Sequence, residues 1–293
     1  MNKKWLILDC NFLCHRLKHA MGGLSHDNAP TGVIYGFLKS IPMYQEMFDT
    51  PRIVFCWDSK TSKRNKLFPG YKANRPNRLE KMNDEEIIFE TEFRYQMQML
   101  RRKYLKIIGF QNVFCQKGYE ADDLIASVCN NLSECVYRDE AIIITSDQDL
   151  YQCLRPNISI YNPNKRKRMT AQGFQKKYGI KPARWAMVKC IAGCSTDNVP
   201  GVKGVGEITA IKYLLGDLKA SAKAHLSIIA PKGMKAICKN RRLVVLPFVG
   251  TRVFQLKKDE LSADGWRSVI RSLGLKSIRD KVPMGIRRKR KKK

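Results

Sequence analysis

Short apolar runs that end in acid recur along the chain. Trp5-Leu6-Ile7-Leu8 closes on Asp9, Ile53-Val54-Phe55-Cys56-Trp57 on Asp58, and Ala141-Ile142-Ile143-Ile144 on Thr145-Ser146-Asp147-Gln148-Asp149. Runs this short, rich in branched and aromatic residues and without polar alternation, predict strands buried on both faces, as in a parallel sheet. Between the first two runs the spacing predicts a helix over 12–20, a loop over 21–32 and a second helix over 33–48. That is a βαβ unit with a right-handed crossover. Asp9 and Asp58 are then expected together on the carboxyl edge, where open parallel sheets hold their ligands.

Residues 60–103 break the rhythm. Lys60, Lys63, Arg64, Lys66, Lys72, Arg75, Arg78 and Lys81 are interleaved with Phe68, Tyr71 and the turn formers Pro69, Gly70 and Pro76. The pattern predicts an excursion from the sheet that offers cations and rings to an anionic strand. From about 84 to 106 apolar residues return at helical spacing (Ile87, Ile88, Phe93, Met97, Leu100, Tyr104), which predicts a long helix with its Met and aromatic positions in the core. A strand is expected over 112–115. The helix after it, over 121–132, turns Leu124, Ile125, Val128 and Leu132 inward and carries Glu120, Asp122 and Asp123 at its positive end. That position favours carboxylates by up to about 1 kcal/mol each at an exposed site.

Further on come the basic cluster Lys165-Arg166-Lys167-Arg168 and a helix around 185–191. The segment Asp197-Asn198-Val199-Pro200-Gly201-Val202-Lys203-Gly204-Val205-Gly206 follows, and then a helix over 207–215. Two helices joined by a glycine-rich turn can aim backbone N–H groups at a phosphate, with Lys203 beside them. The pattern is that of a helix-hairpin-helix, which grips a nucleic-acid backbone without reading bases. One more strand is expected over 243–248. The tail 287–293 is read as a disordered basic end.

Composition narrows the partners. The 293 residues carry 55 Lys and Arg against 26 Asp and Glu, a formal charge of +29, which implies a polyanion; the spread of the basic residues favours nucleic acid over a membrane patch. The apolar runs fall well short of the roughly 20 residues of a spanning helix, so no membrane partner is expected and the protein is placed in the cytoplasm. The ten cysteines lie mostly in apolar segments and read as reduced thiols. Cys10, Cys14, His15 and His19 would point in different directions around one helix, which argues against zinc there.

The chemistry follows from the acids. Asp9, Asp58, Glu120, Asp122, Asp123, Asp147, Asp149 and Asp197 gathered on a basic protein call for a counter-cation, and oxygen ligands favour hard divalent ions such as Mg2+ or Mn2+. Two such ions sharing a scissile phosphate hydrolyse phosphodiesters, and Lys72 or Arg75 could balance charge on that phosphate.

The motifs Asp9-x-Asn11, Tyr71-Lys72-x-x-Arg75, Glu120-Ala-Asp-Asp123, Ser146-Asp147-x-Asp149 and Asp197-Asn198-Val-Pro-Gly201-Val-x-Gly204-Val-Gly206 occur in this order. Over about residues 1–250 the chain resembles the 5′ nuclease family, the flap endonucleases and 5′-to-3′ exonucleases of bacteriophages and of bacterial DNA polymerase I amino-terminal domains. The resemblance implies an α/β fold with a mostly parallel sheet between helices (a PIN-like core), a helical arch over the active site, and a helix-hairpin-helix beside a monovalent cation such as K+. It implies a nuclease core over 1–160 with the arch at about 60–105, a DNA-binding region over 161–280 and a basic tail over 281–293. By that resemblance Asp9, Asp58, Glu120, Asp122 and Asp123 serve mainly a first metal, and Asp147, Asp149 and Asp197 a second. Tyr71 would stack on a base, Lys72 and Arg75 would meet the scissile phosphate, and Gly201, Lys203, Gly204 and Gly206 would hold the duplex.

The implied activity is that of a free-standing monomeric exonuclease and flap endonuclease that removes primers or flaps in replication. Its partners would be flapped, nicked or primer-bearing DNA, RNA–DNA hybrids and replication proteins, in a phage or bacterium. One position departs from the family: where a carboxylate is usual, this chain has Cys194, and a thiol is a poor magnesium ligand, so a weaker second metal is expected. A DNA-binding protein with vestigial catalysis and a PIN-type ribonuclease stand as the alternatives.

Overall fold

The computed structural model describes residues 3–21, 23–27, 29–74, 82–134 and 139–286. Strand β1 (Lys4–Asp9) leads into α1 (Cys10–Met21), a short pair β2 (Ser25–His26) and β3 (Ala29–Pro30), helix α2 (Gly32–Phe48) and β4 (Ile53–Trp57). Next come α3 (Lys63–Leu67) and α4 (Asp84–Met99), which continues through a π-helical turn (Leu100–Tyr104) into α5 (Leu105–Ile108). β5 (Val113–Cys115), α6 (Ala121–Glu134), β6 (Glu140–Ile144), a 3-10 turn (Asp149–Cys153) and the hairpin β7 (Ile158–Asn162) and β8 (Lys167–Met169) complete the sheet region. Then follow α7 (Ala171–Tyr178), α8 (Trp185–Ala192), the pair β9 (Gly193–Cys194) and β10 (Val199–Pro200), α9 (Glu207–Leu215), α10 (Lys223–Ile229), α11 (Pro231–Val244) and α12 (Ala263–Ser272).

The sheet runs β5-β4-β1-β6-β7-β8, parallel throughout except for β8. From β1 the chain builds outward first to β4 and β5, then on the opposite side to β6, β7 and β8. The strand order therefore reverses between β1 and β6, the position at which open α/β sheets form a ligand crevice at their carboxyl edge. Leu8 registers with Ile144 and with Phe55, so Asp9 and the residues following β4 and β6 reach that edge together.

Period-two alternation gives each strand two buried faces. Trp5, Ile7, Val54, Ala141 and Ile143 pack beneath α6 and α8, against Leu124, Ile125, Val128, Trp185 and Val188. Leu6, Leu8, Phe55, Ile142 and Ile144 face α1, α2 and α12, with Phe37, Trp266 and Ile270. Full burial of each such Leu, Ile or Phe is worth roughly 1.5–3 kcal/mol, which makes the sheet a rigid platform for whatever its edge presents. The sheet extends to Met169, beyond the boundary at 160 expected for the core, and α8 shares the apolar layer with α6.

One expectation is corrected. Residues 243–248 form no strand: Leu243 and Val244 end α11, whose amphipathic face buries both, and the chain then leaves the helix through Val245. Phe93 and Tyr104 are buried as expected, and Leu100 with them, whereas Ile88 is 58% exposed where the first turns of α4 stand away from the body. The face of α4 that meets the body carries polar groups as well. Glu90 pairs with Lys18 of α1, and Gln96 accepts from the Val33 and Ile34 N–H groups, capping α2 in place of its own N-cap Thr31. α4 itself begins in a capping box between Asn83 and Glu86, with Asp84 and Glu85 adding favourable charge. The basic tail 287–293, and Arg75, Arg78 and Lys81, lie outside the described residues.

Candidate metal centre and nucleic-acid interface

The edge acids are held by backbone and hydroxyl donors, as carboxylates fixed in place for a ligand would be. Asp9, the last residue of β1, accepts from Phe12 N–H at 3.1 Å and from Thr145 Oγ1 at 2.9 Å. Asn11 accepts from Asp58 N–H at 3.0 Å, tying the start of α1 to the end of β4, and Asp58 accepts from Ala121 N–H at 2.7 Å, at the head of α6. Thr145 also receives Asp147 N–H, and Asp147 receives Asp149 N–H at 2.8 Å. Three strand ends and two helix starts are thereby joined around one point.

Crowded like charges show in the acidities. Burial, then the Asp58 charge, push Asp9 up to about 7. Asp122 is raised well above the ordinary range by burial and then by Asp147, Asp9, Asp58 and Glu120. Asp147 is raised by burial and by Asp149. Carboxylates that resist ionising together form a site that a cation would relieve, and an all-oxygen donor set suits Mg2+ or Mn2+. Asp9, Asp58 and Asp122, with Glu120 beside them, are the residues that would hold a first ion.

Glu120 behaves differently. Burial raises its pKa, but the Lys72 ammonium, 2.8 Å from Oε1, and the Arg64 guanidinium outweigh this and hold it below the usual range. Tyr71 Oη donates to Glu120 at 2.9 Å and lies 3.1 Å from Asp197 Oδ2; its ring is buried. Without DNA, the structure thus makes Tyr71 a bracket between two acids.

Asp123 departs from its expected place among the metal ligands. Its carboxylate is 0% exposed and accepts two 2.7 Å hydrogen bonds from Arg64, with further bonds from Glu120 N–H and Phe248 N–H. All of its capacity is spent on fixing α3 to the head of α6, so it shapes the centre without facing it. The basic string over 60–81 marked Arg64 without separating it from its neighbours. A capping acid buried at a helix start was the available sign that one of those cations had to come inside.

The second group of acids lines a cavity of about 580 Å³ bounded by Asp147, Asp149, Lys189, Cys194, Asp197 and Glu207. Ligand atoms of Asp149, Cys194 and Asp197 lie within 4.8 Å of one another. Lys189, 9% exposed, bridges Asp149 Oδ1 at 2.9 Å and Glu207 Oε1 at 2.8 Å. The sequence reading passed over Lys189, although a lone charge inside the apolar run of α8 demands a buried partner.

The turn between α8 and α9 divides its glycines by task. A side chain on Gly201 would collide with the Ala192 carbonyl, so this glycine serves backbone packing. Gly204, at φ +77°, and Gly206 have open space around them, and Lys203 is exposed. No side chain caps α9, so its first turn and the left-handed Gly204 present backbone to solvent on the face that carries Lys203.

Fold and site together define a 5′ nuclease type of α/β core, with its acids at the switch point of the sheet and a helix-hairpin-helix alongside. The chain belongs to the 5′-3′ exonuclease family, whose N-terminal resolvase-like domain matches residues 4–179. It is 33% identical to a 5′-3′ exonuclease of Bacillus subtilis over 73% of this chain and 70% of that protein. It is also 33% identical to the thermostable DNA polymerase I of Thermus aquaticus over 74% of this chain, and it spans only about a quarter of the length of that polymerase. Among solved structures, the T5 5′-exonuclease with bound zinc aligns at a TM-score of 0.70 and 20% identity, covering 95% of this chain and 98% of that one. The T5 D15 flap endonuclease in a complex with DNA and metal ions aligns at 0.69 and 19%, with the same coverage. Both show the shared fold.

Proposed function

We propose that the protein is a divalent-metal-dependent 5′ nuclease that hydrolyses phosphodiester bonds of DNA as a 5′-to-3′ exonuclease and 5′-flap endonuclease. The observation that carries the reading is the convergence of Asp9, Asp58, Asp122 and Asp147 at the switch point of the sheet, where bound cations would relieve their mutual repulsion. Two ions, Mg2+ or Mn2+, would supply a metal-activated water and neutralise charge on the leaving oxygen.

The chain's own residues do the rest. Lys72, held over Glu120 beside Asp197, is placed to meet the scissile phosphate, and Glu120 keeps its ammonium fixed until the phosphate competes for it. Arg75 follows three residues later and is assigned the same task. The Gly204 turn and Lys203 hold the duplex by its backbone, consistent with the net positive charge, with K+ as the further ion that the family resemblance implies beside the turn. Removal of primers or flaps by a monomer in the cytoplasm, on nicked or primer-bearing DNA or RNA–DNA hybrids and alongside replication proteins, completes the reading. The test compares a 5′-flap duplex, a blunt duplex and single-stranded RNA of matched length in Mg2+. Preferred cutting near the flap junction supports the proposal, whereas preferred cutting of the RNA would assign the site to ribonuclease chemistry.

A further inference from the structure

Asp149, Cys194 and Asp197 reach one cavity wall from three stretches of chain: the 3-10 turn after β6, the strand β9 and the turn that follows it. Cys194 is 7% exposed, yet its sulfur is engaged with polar groups. Sγ lies 3.7 Å from Asp149 Oδ2 and 3.1 Å from Thr196 Oγ1. Lys189 occupies the other oxygen of Asp149, so Oδ2 is left facing the sulfur.

We propose that Cys194 Sγ is a direct metal ligand and that it makes the second site selective for borderline-soft divalent ions such as Zn2+ or Co2+ over Mg2+. The inference rests on the two-ion reading above and gives its two positions different chemistry. The first is lined by carboxylates alone and the second combines Asp149 and Asp197 with a thiolate. Zinc–sulfur and zinc–oxygen bonds of about 2.3 and 2.1 Å at a tetrahedral angle separate the two ligand atoms by about 3.6 Å, close to the observed Sγ to Oδ2 distance. Mg2+ demands octahedral oxygen donors at shorter distances and gives up its water reluctantly, so the same pair of atoms suits it poorly. On binding, the Sγ–H bond breaks, its proton passes to buffer and the sulfur lone pair forms the bond to the metal, with no change of oxidation state.

The test titrates Co2+, and separately Cd2+, into the full-length, metal-free, reduced protein and follows thiolate-to-metal charge-transfer absorption, with calorimetry for Zn2+ and Mg2+. The wild type should develop the band, and Cys115→Ser and Cys238→Ser should retain it. Cys194→Ser, shown to be folded by circular dichroism, should lose the band and bind Zn2+ about tenfold or more weakly. Cys194→Asp should also lose it and fill the second site at about tenfold lower Mg2+. A band that persists in Cys194→Ser, or no band in the wild type, overturns the inference. Flap cleavage measured on the same samples separates the two readings. Cleavage without the band removes only the thiolate ligand, whereas the band without cleavage in any metal keeps the ligand and removes the nuclease assignment.

Discussion

Lys72 is held by Asp197 at both ends: its backbone N–H donates to the Asp197 carbonyl at 2.8 Å, and its Nζ lies 3.8 Å from Asp197 Oδ2. The loop around it is docked further by Asn198 Nδ2 on the Gly70 carbonyl and Asn74 Nδ2 on the Ser195 carbonyl. Lys72 itself sits at φ +56°, a conformation that costs a non-glycine residue of order 1 kcal/mol and persists only where the surroundings impose it. Two loops far apart in sequence thus fix one cation over the acids.

Lys72→Ala should therefore lower single-turnover cleavage of a flap duplex by about 10²- to 10³-fold, the usual cost of removing one fixed stabiliser of transition-state charge. Binding of the same duplex in Ca2+ should weaken far less. An equal loss in binding and rate would reduce Lys72 to a substrate contact.

Arg64 is a structural cation despite its place in the basic excursion. Arg64→Met leaves the Asp123 carboxylate buried with no countercharge, which costs about 3–5 kcal/mol for a pair of this kind. A fall in Tm on the order of 10 °C is expected. The double change with Asp123→Leu should recover part of it, because both charges are then gone. Thermal denaturation of the three variants checks this.

The raised pKa values set a pH dependence with a definite sign. Asp9, at about 7 in the folded chain against 3.8 ordinarily, favours the protonated form. Its contribution to stability is full below about pH 4 and is lost as pH rises through 7. Metal-free protein should lose Tm over that range, while saturating Mg2+ should flatten the loss and release protons on binding. Asp259, raised by burial to about 6 and remote from the edge, has the same sign, so the relevant comparison is Asp9→Asn, which should have a shallower slope. Differential scanning calorimetry at several pH values reads it.

Much of the fold was legible because the strands are short apolar runs with buried faces on both sides, and their terminal acids need no contact map to be noticed. The helices α6 and α9 were likewise fixed by inward periodicity and by glycine-rich boundaries. Local pattern could not show which charges turn inward. Arg64, Glu90, Gln96 and Lys189 are buried by partners 59, 72, 63 and 40 residues away, so neither their burial nor the roles of Asp123 and Tyr71 could be read from spacing. The 243–248 run failed for a related reason, since Leu243 and Val244 are the inner face of a helix end and the rest of the run leaves that helix without pairing as a strand.

The hairpin between α8 and α9 should act on affinity alone. Lys203→Ala should weaken duplex binding to a similar degree on unrelated sequences and reduce the slope of log affinity against log salt by about one, as expected when one phosphate contact is lost. Gly204→Ala adds strain at a left-handed position that has open space around it, so it too should weaken binding with little change in the cleavage rate of bound substrate. Fluorescence anisotropy over a salt series measures both.

The central claim is that the acids at the β1–β6 switch point carry out metal-dependent phosphodiester hydrolysis. The most direct measurement is cleavage of a 5′-labelled flap duplex in Mg2+ by the wild type and by Asp147→Ala, with binding of each to the same duplex recorded in Ca2+. Cutting near the junction that Asp147→Ala abolishes while still binding the duplex is the result predicted here. Tight binding by the wild type with no cutting in Mg2+, Mn2+, Zn2+ or Co2+, or cutting that Asp147→Ala leaves intact, would contradict it.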